Sequence, residues 1–200
     1  KTNYIFDVSL SELFGWFFGS GHLVILPPKA EQSPELISQY IKQHRITHIN
    51  FVPSMLGVYL NDVKENKPFH LGCPLKYLMV CGEAFPRKMV QEAIDSFGDT
   101  DVINIYGPTE TAVYETYYSC SNNVIDSSNT PIGRPIANTK LYIVDDQHRL
   151  VPYGVAGELC ISGAGTSRGY KNKEELTTEK FIDNPFEAGT KLYKTGDLAR

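Results

Sequence analysis

The first half of the chain alternates short apolar runs with amphipathic stretches, and this pattern restricts the fold more than any other feature. The apolar runs predict strands at residues 22–26, 47–52, 75–81 and 101–106. Helices are predicted between them, beginning at Ser33-Pro34, after Pro53 and at Pro86. A capping box of Ser9 and Glu12 predicts a further helix through about Phe18. Strands that alternate with helical crossovers are typical of a parallel α/β sheet.

The second half of the chain changes to strand-like alternation. Residues 113–119 predict a strand, and residues 121–130 a polar loop. The runs at 140–144 and 157–162 predict antiparallel strands, with a turn at Asp145-Asp146. We therefore predict an α/β subdomain over residues 1–118. A smaller, antiparallel, barrel-like β-rich unit follows over residues 119–200, incomplete at its C-terminal end.

The composition restricts the partners and the compartment. The chain has 42% hydrophobic residues and a net charge of -4, without a run of Lys or Arg that would favour nucleic acid or a membrane surface. The apolar stretch 10–26 is interrupted by Glu12 and three glycines, so it predicts neither a membrane span nor a signal peptide. The four cysteines are widely spaced, which favours a reducing cytoplasm over a disulfide or zinc framework. Cys81 and Cys160 lie in apolar runs and are expected to be buried and inert.

The heptad at residues 104–110 reads Asn-Ile-Tyr-Gly-Pro-Thr-Glu and follows a predicted strand. Ligands of open α/β sheets gather where strands end. An aromatic face, a hydroxyl and an acid at such a point suit a base, a phosphate and a divalent metal. The same residues would also suit a Gly-Pro turn followed by a capped helix. The heptad alone leaves both interpretations open.

Three further segments carry candidate functional residues. Residues 157–170 form a strand that runs into a glycine-rich turn, which indicates a tight loop or, less readily, a phosphate site. Asp197 follows a glycine and suits either ribose hydroxyls or a capped turn. Asp7 precedes the first helix and suits either the helix dipole or a substrate ammonium group.

Taken in order, these segments resemble the core motifs of amino-acid adenylation domains. Those domains belong to nonribosomal peptide synthetases, within the acyl-adenylate-forming superfamily of AMP-dependent synthetases and ligases. The motifs that carry the resemblance cover essentially the whole chain: Phe-Asp-x-Ser at 6–9, the heptad at 104–110, Pro-Ile-Gly-Arg-Pro-Ile at 131–136, the glycine-rich segment at 157–170, Phe-Ile-Asp-Asn-Pro-Phe at 181–186 and Tyr-Lys-Thr-Gly-Asp at 193–197. The resemblance implies part of the large N-terminal domain of such an enzyme.

The resemblance also implies an activity and a role for individual residues. Such enzymes form aminoacyl-AMP from an amino acid and ATP, and pass the acyl group to the phosphopantetheine thiol of a carrier domain. By similarity, Asp7 holds the substrate ammonium group, while Thr109 contacts the α-phosphate and Glu110 binds Mg²⁺, so these last two are the catalytic candidates. The nucleotide-binding candidates are Gly82, Asn104, Ile105, Tyr106, Gly107, Thr109 and Asp197, with Tyr106 on adenine and Asp197 on ribose.

The resemblance further implies a set of residues that line the amino-acid pocket: Asp7, Val8, Ser11, Asn50, Met79, Cys81, Ile105, Val113 and Tyr114. Apart from Asp7 this lining is uncharged, and burying a charged side chain in it would be costly. We therefore expect a small or medium uncharged amino acid, of which cysteine and threonine are examples.

Two segments of the family pattern are missing between residues 1 and 200. These are the Gly/Ser/Thr-rich phosphate loop that ends in Lys-Gly and the C-terminal lid with its lysine. We therefore expect a fragment that does not catalyse adenylation alone. The alternatives are a stand-alone ligase that loads D-alanine or another amino acid on a carrier, an acyl-CoA ligase, and a non-catalytic module that binds amino acid or nucleotide.

Overall fold

A computed structural model of the chain describes residues 1–65, 73–123 and 128–200. It divides the chain into two compact units, each made of two segments. Unit 1 contains Lys1–Tyr106 and Tyr117–Gly133, and unit 2 contains Gly107–Thr116 and Arg134–Arg200. The predicted loop at 121–130 lies partly outside the described residues. The subdomain boundary at 118/119 stays a prediction.

Unit 1 is built on a parallel sheet with helical crossovers. Strand β1 (His48–Phe51) pairs with β2 (Tyr77–Cys81), and β2 with β3 (Asp101–Tyr106), in both cases in parallel. A fourth strand, β4, follows β3 in the order of the sheet. The elements are helices α1 (Val8–Phe14), α2 (Pro34–Gln43), α3 (Pro53–Glu65) and α4 (Arg87–Phe97), and strands β1 (His48–Phe51), β2 (Tyr77–Cys81), β3 (Asp101–Tyr106) and β4 (Thr116–Ser119). The predicted α/β sheet is thereby confirmed.

The local sequence explains why the elements of unit 1 begin where they do. The Ser33 hydroxyl accepts a hydrogen bond from the Leu36 N–H, and Pro34 occupies the first turn of α2, as predicted. Helix α2 buries Ile37 and Ile41, its apolar stripe. These side chains belong to the main core, which also includes residues of α3, α4 and all three parallel strands.

Two local predictions near the N-terminus are wrong. Residues 22–26 form no strand, because an apolar run becomes a strand only where another strand pairs with its backbone. The Ser9–Glu12 capping box is absent as well, since the Glu12 carboxylate accepts hydrogen bonds from the N–H and hydroxyl of Thr2. Helix α1 ends at Phe14, and a short 3-10 segment, Gly15–Gly19, continues the chain.

Unit 2 contains a smaller antiparallel sheet, which confirms the predicted β-rich region. The order of its strands is β6 (Thr139–Val144), β7 (Gly157–Gly163), β9 (Lys191–Ala199) and β8 (Phe181–Asp183). Its elements are β5 (Arg134–Pro135), β6 (Thr139–Val144), β7 (Gly157–Gly163), α5 (Glu174–Lys180), β8 (Phe181–Asp183) and β9 (Lys191–Ala199). Asp145 accepts N–H hydrogen bonds from Gln147 and Arg149 in the predicted turn. Cys160 is fully buried in the small core of this unit, and burial raises the pKa of its thiol to about 12, so it is unreactive at neutral pH.

None of the four cysteines, all of which lie within the described residues, forms a disulfide, and Cys81 is buried as expected. Among the described residues, no helix has the length and apolar composition needed to cross a membrane.

Candidate functional site

Four of the predicted pocket residues share one face of the sheet in unit 1. Asn50 of β1 is in register with Met79 of β2, and Cys81 of β2 is in register with Ile105 of β3. Met79 and Cys81 are two residues apart, so their side chains point to the same side of the strand. The four residues lie at or near the carboxyl ends of three parallel strands, where ligands of open α/β sheets gather.

Asn50 and Cys81 also contact each other directly. The Cys81 thiol lies 3.5 Å from Asn50 Oδ1, to which it donates, and both residues are buried. Asn50 and Met79, together with Ser11 of α1, line a cavity of 710 Å³. The Ser11 hydroxyl donates to the Val8 carbonyl at 2.7 Å. The structure therefore brings three predicted pocket residues around one cavity within unit 1.

The remaining N-terminal candidates lie at the start of α1. Asp7 is the N-cap residue of this helix and is half-buried, and Val8 is its first residue. Their position matches the prediction that an acid precedes the first helix. Neither residue lines the cavity that the described part of the chain forms.

The nucleotide-binding candidates of unit 1 divide between the two faces of the sheet. Asn104 alternates with Ile105 along β3 and therefore points to the opposite face. It is buried, and its amide N–H donates to the Pro131 carbonyl at 2.9 Å, so it connects β3 to the loop that carries Pro131. Tyr106 ends β3 and is half-buried, and Gly82 directly follows β2.

In unit 2, the chain from Gly107 to Thr116 folds back on itself. A Cβ atom on Gly107 would lie 2.5 Å from the Val113 carbonyl oxygen and 2.9 Å from the Glu115 nitrogen, so only glycine allows this approach. Thr109 and Glu110 begin a short 3-10 turn, Thr109–Thr111.

Ala112 and Val113 adopt φ angles of +70° and +80° directly after this turn. Positive φ is an outlier for a β-branched residue, and such strain costs about 1–3 kcal/mol and clusters at functional sites. Val113 and its neighbour Tyr114 are predicted pocket residues. The strained backbone therefore coincides with a segment that the sequence assigns to substrate binding.

The glycine-rich segment packs against the turn that carries Glu110. A Cβ atom on Gly165 would lie 2.3 Å from the Thr111 carbonyl oxygen. The Ser167 N–H donates to the Glu110 carbonyl at 2.8 Å, and the Tyr170 hydroxyl donates to Glu110 Oε1 at 2.6 Å. The pKa of Tyr170 is raised, mainly because the residue is partly buried and also because it contacts Glu110. The segment is thus a tight loop that holds the predicted metal acid.

Glu115 is a buried acid that the sequence analysis did not select. It is 3% exposed, and its carboxylate accepts a hydrogen bond from the Thr139 hydroxyl at 2.5 Å. Burial raises the pKa of this carboxyl group, and the hydrogen bonds from Thr139 and Thr111 oppose the shift only in part. The folded protein therefore retains this proton at pH values at which the unfolded chain has lost it. The free energy of unfolding must fall as the pH rises from the ordinary glutamate pKa through the raised one.

Asp197 lies on an irregularity of strand β9. The register between β7 and β9 shifts between Glu158 and Cys160, opposite the residues around Asp197. The Thr195 hydroxyl donates to the Leu159 carbonyl at 2.7 Å, and the Gly196 N–H donates to the Glu158 carboxylate. A bulge of this kind redirects a side chain and is common beside active sites. Asp197 is exposed at this point.

Glu110 and Thr109 provide oxygen donors that suit Mg²⁺. This ion keeps several waters and is bound by one or two carboxylates together with substrate phosphates, not by an all-protein cage. Within residues 1–65, 73–123 and 128–200, no group of three or more His, Cys, Asp or Glu side chains could hold a metal alone.

The sequence pattern did not single out Tyr170, Tyr193 or Glu115. Tyr170 and Tyr193 both occur in recognised motifs, but they stand 60 and 83 positions after Glu110, and no periodicity predicts their contact. Glu115 could have been noticed as a charge within an otherwise strand-like run.

Comparison with known proteins gives a family match over most of the chain. The family described as AMP-binding enzyme matches residues 1–171. Polyketide synthase PksN of Bacillus subtilis is 60% identical over the whole chain, and bacitracin synthase 1 of Bacillus licheniformis is 40% identical. The chain covers 4% of the length of each of these relatives. It covers 38% of zwittermicin A synthase ZmaJ of Bacillus cereus, with 38% identity.

Solved structures agree with these relatives. The crystal structure of the nonribosomal peptide synthetase FmoA3 matches the whole chain with a TM-score of 0.89 and 28% identity, over 21% of its own length. Its AMPPNP-bound form matches with a TM-score of 0.90. The predicted relationship to acyl-adenylate-forming enzymes is confirmed. The chain belongs to the AMP-binding enzyme family.

Proposed function

We propose that the chain supplies most of the amino-acid pocket and part of the nucleotide site of an amino-acid adenylation domain. In the proposed reaction, a carboxylate oxygen of the amino acid attacks the α-phosphorus of ATP. The bond between this phosphorus and the bridging oxygen to the β-phosphate breaks, which gives aminoacyl-AMP and pyrophosphate. No side chain forms a covalent intermediate, so catalysis depends on positioning and on neutralising charge.

The observation that carries this proposal is the shared face of Asn50, Met79, Cys81 and Ile105 at the ends of three parallel strands. The resemblance assigns all four to the amino-acid pocket independently of the strand register. The face combines apolar surface with the buried Asn50 amide, whose oxygen already accepts from the Cys81 thiol. A small or medium uncharged side chain suits this surface, since burying an unpaired charge there would be costly.

The proposed nucleotide contacts come from the ends of several strands and turns. Tyr106 supports adenine, Asp197 takes the ribose hydroxyls, and Thr109 contacts the α-phosphate. Glu110 would hold Mg²⁺, which when bound neutralises phosphate charge as the carboxylate attacks. The exposed position of Asp197 on a bulge and the oxygen donors at Thr109 and Glu110 support these assignments.

We further propose that the acyl group passes from AMP to the phosphopantetheine thiol of a carrier domain. The thiol sulfur attacks the acyl carbon, and AMP leaves. The widely spaced cysteines of the chain support a reducing, cytoplasmic location for this chemistry.

ATP–pyrophosphate exchange with a panel of amino acids tests the proposal on the full-length protein that carries this sequence. We expect exchange with one or a few small or medium uncharged amino acids. A lack of exchange with every amino acid would contradict it. Exchange with acyl or aryl acids in place of amino acids would identify a CoA-ligase type of enzyme.

Asp7 is tested in the same assay. We expect Asp7→Ala to raise the KM for the amino acid by about 10-fold or more, because the desolvated ammonium group loses its ionised partner. The KM for ATP should stay close to that of the unmodified protein. Unchanged amino-acid KM in Asp7→Ala would refute the ammonium role.

A further inference from the structure

We propose that Tyr170, supported by Tyr193, is a positioning residue that fixes the carboxylate of Glu110. This inference rests on the proposed function, in which Glu110 holds the metal. The resemblance assigns roles to Glu110 and Asp197, whereas the tyrosines enter only through their contacts in the structure.

The contact between Tyr170 and Glu110 is short and directional. The Tyr170 hydroxyl donates to Glu110 Oε1 at 2.6 Å, a distance typical of a hydrogen bond to a charged acceptor. Such a bond restricts a glutamate side chain that otherwise has three rotatable bonds. One carboxylate oxygen is held in place, and the direction of the whole group is therefore set.

Tyr193 contributes from the sheet of unit 2. It lies on strand β9, is 5% exposed, and its ring packs against the Phe181 ring with centroids 4.9 Å apart. Tyr170 contacts the same Phe181 ring, so the packing of Tyr193 limits the alternative positions of Tyr170. The two tyrosines and Phe181 therefore form one small aromatic group, from which Tyr170 donates to Glu110.

Tyr170 is itself held firmly by its surroundings. Its N–H donates to the Thr177 hydroxyl at 2.9 Å, and its ring meets the Phe181 ring edge-on with centroids 5.6 Å apart. The same loop holds the backbone of Glu110 through the Ser167 N–H at 2.8 Å. Both the backbone and the side chain of the predicted metal acid are therefore positioned by the glycine-rich segment.

The fixed orientation of the Glu110 carboxylate should increase its affinity for the metal. A hydrogen-bond partner that orients a metal ligand raises metal affinity, because the ligand loses less conformational freedom when the metal binds. Removing such a partner typically lowers metal affinity by about 10- to 100-fold. Removal of the Tyr170 hydroxyl should therefore weaken metal binding without altering the amino-acid pocket.

The test is Tyr170→Phe in the full-length protein, which removes one oxygen and keeps the ring that contacts Phe181. The dissociation constant of Mn²⁺ is measured by electron paramagnetic resonance in the presence of α,β-methylene-ATP, so that no turnover occurs. The matched control is Tyr142→Phe, whose ring stacks on Phe186 at 4.7 Å in the same unit. Glu110→Gln and the double variant complete a cycle.

We expect Tyr170→Phe to raise the dissociation constant of Mn²⁺ by roughly 10-fold or more. Tyr142→Phe should leave this constant within about twofold of that of the unmodified protein. The double variant should bind no more weakly than Glu110→Gln alone, because the tyrosine acts through the acid. Unchanged Mn²⁺ affinity in Tyr170→Phe, beside a clear loss in Glu110→Gln, would overturn the inference and leave the proposed function intact. Unchanged affinity in Glu110→Gln would overturn the metal role of Glu110 and the inference with it.

Discussion

Gly165→Ala should loosen the loop that holds Glu110. The added Cβ atom would lie 2.3 Å from the Thr111 carbonyl oxygen and 2.9 Å from Glu115 Oε1. Thr111 is fully buried, so its backbone has little room to move away. The loop must shift instead, and the hydrogen bond from the Ser167 N–H to the Glu110 carbonyl must lengthen or break.

The destabilisation of the closed loop by Gly165→Ala has two contributions. Overpacking a well-packed site costs about 1–3 kcal/mol. A lost hydrogen bond adds about 0.5–1.5 kcal/mol. The free energy of local opening of the loop should therefore fall by roughly 1.5–4.5 kcal/mol, which at its lower end is an increase of about 12-fold in the open population.

Hydrogen exchange with mass spectrometry on the full-length protein measures this opening at the peptide that contains Ser167. The control is Gly154→Ala, which has a φ of +83° but no atom within 4 Å of its Cβ position, and which therefore adds backbone strain without a collision. We expect faster exchange at Ser167 in Gly165→Ala and unchanged exchange there in Gly154→Ala. Equal exchange at Ser167 in Gly165→Ala and the unmodified protein would refute the packing argument.

Two further predictions concern Glu115 and Asp197. The pKa of Glu115 is raised in the folded state, so Glu115→Gln should reduce the loss of thermal stability between about pH 4 and neutral pH. The variant should raise Tm most at about pH 7. A Tm–pH curve parallel to that of the unmodified protein would contradict the assigned pKa direction. Asp197→Ala should raise the KM for ATP in exchange assays by about 10-fold, because the hydrogen bonds from the ribose hydroxyls to the carboxylate are lost. The KM for the amino acid should stay unchanged. A change confined to the KM for the amino acid would refute the ribose role.

Local chemistry explains where the sequence predicted the fold correctly. The apolar run 101–106 coincides with strand β3, and Ser33-Pro34 begins helix α2, because each signal is contained within a few neighbouring residues. Residues 22–26 have an equally strong apolar signal but form no strand. Strand formation depends on a distant pairing partner, which no local pattern contains.

The candidate site shows the same division. The motifs provided the candidate residues, without the strand faces on which Cys81 and Ile105 lie. The register between strands was needed to show that Asn50 and Met79 share that face. The hydrogen bond from Tyr170 to Glu110 joins residues 60 positions apart and follows only from tertiary packing.

The central claim, formation of an acyl adenylate, is tested most directly with an amino acid labelled with oxygen-18 in its carboxylate. The full-length protein is given this amino acid, ATP and hydroxylamine as the acyl acceptor. The account predicts that the released AMP carries one labelled oxygen, because the carboxylate oxygen stays on the α-phosphorus when the acyl carbon is attacked. Label in inorganic phosphate with release of ADP, or AMP without label, would contradict it.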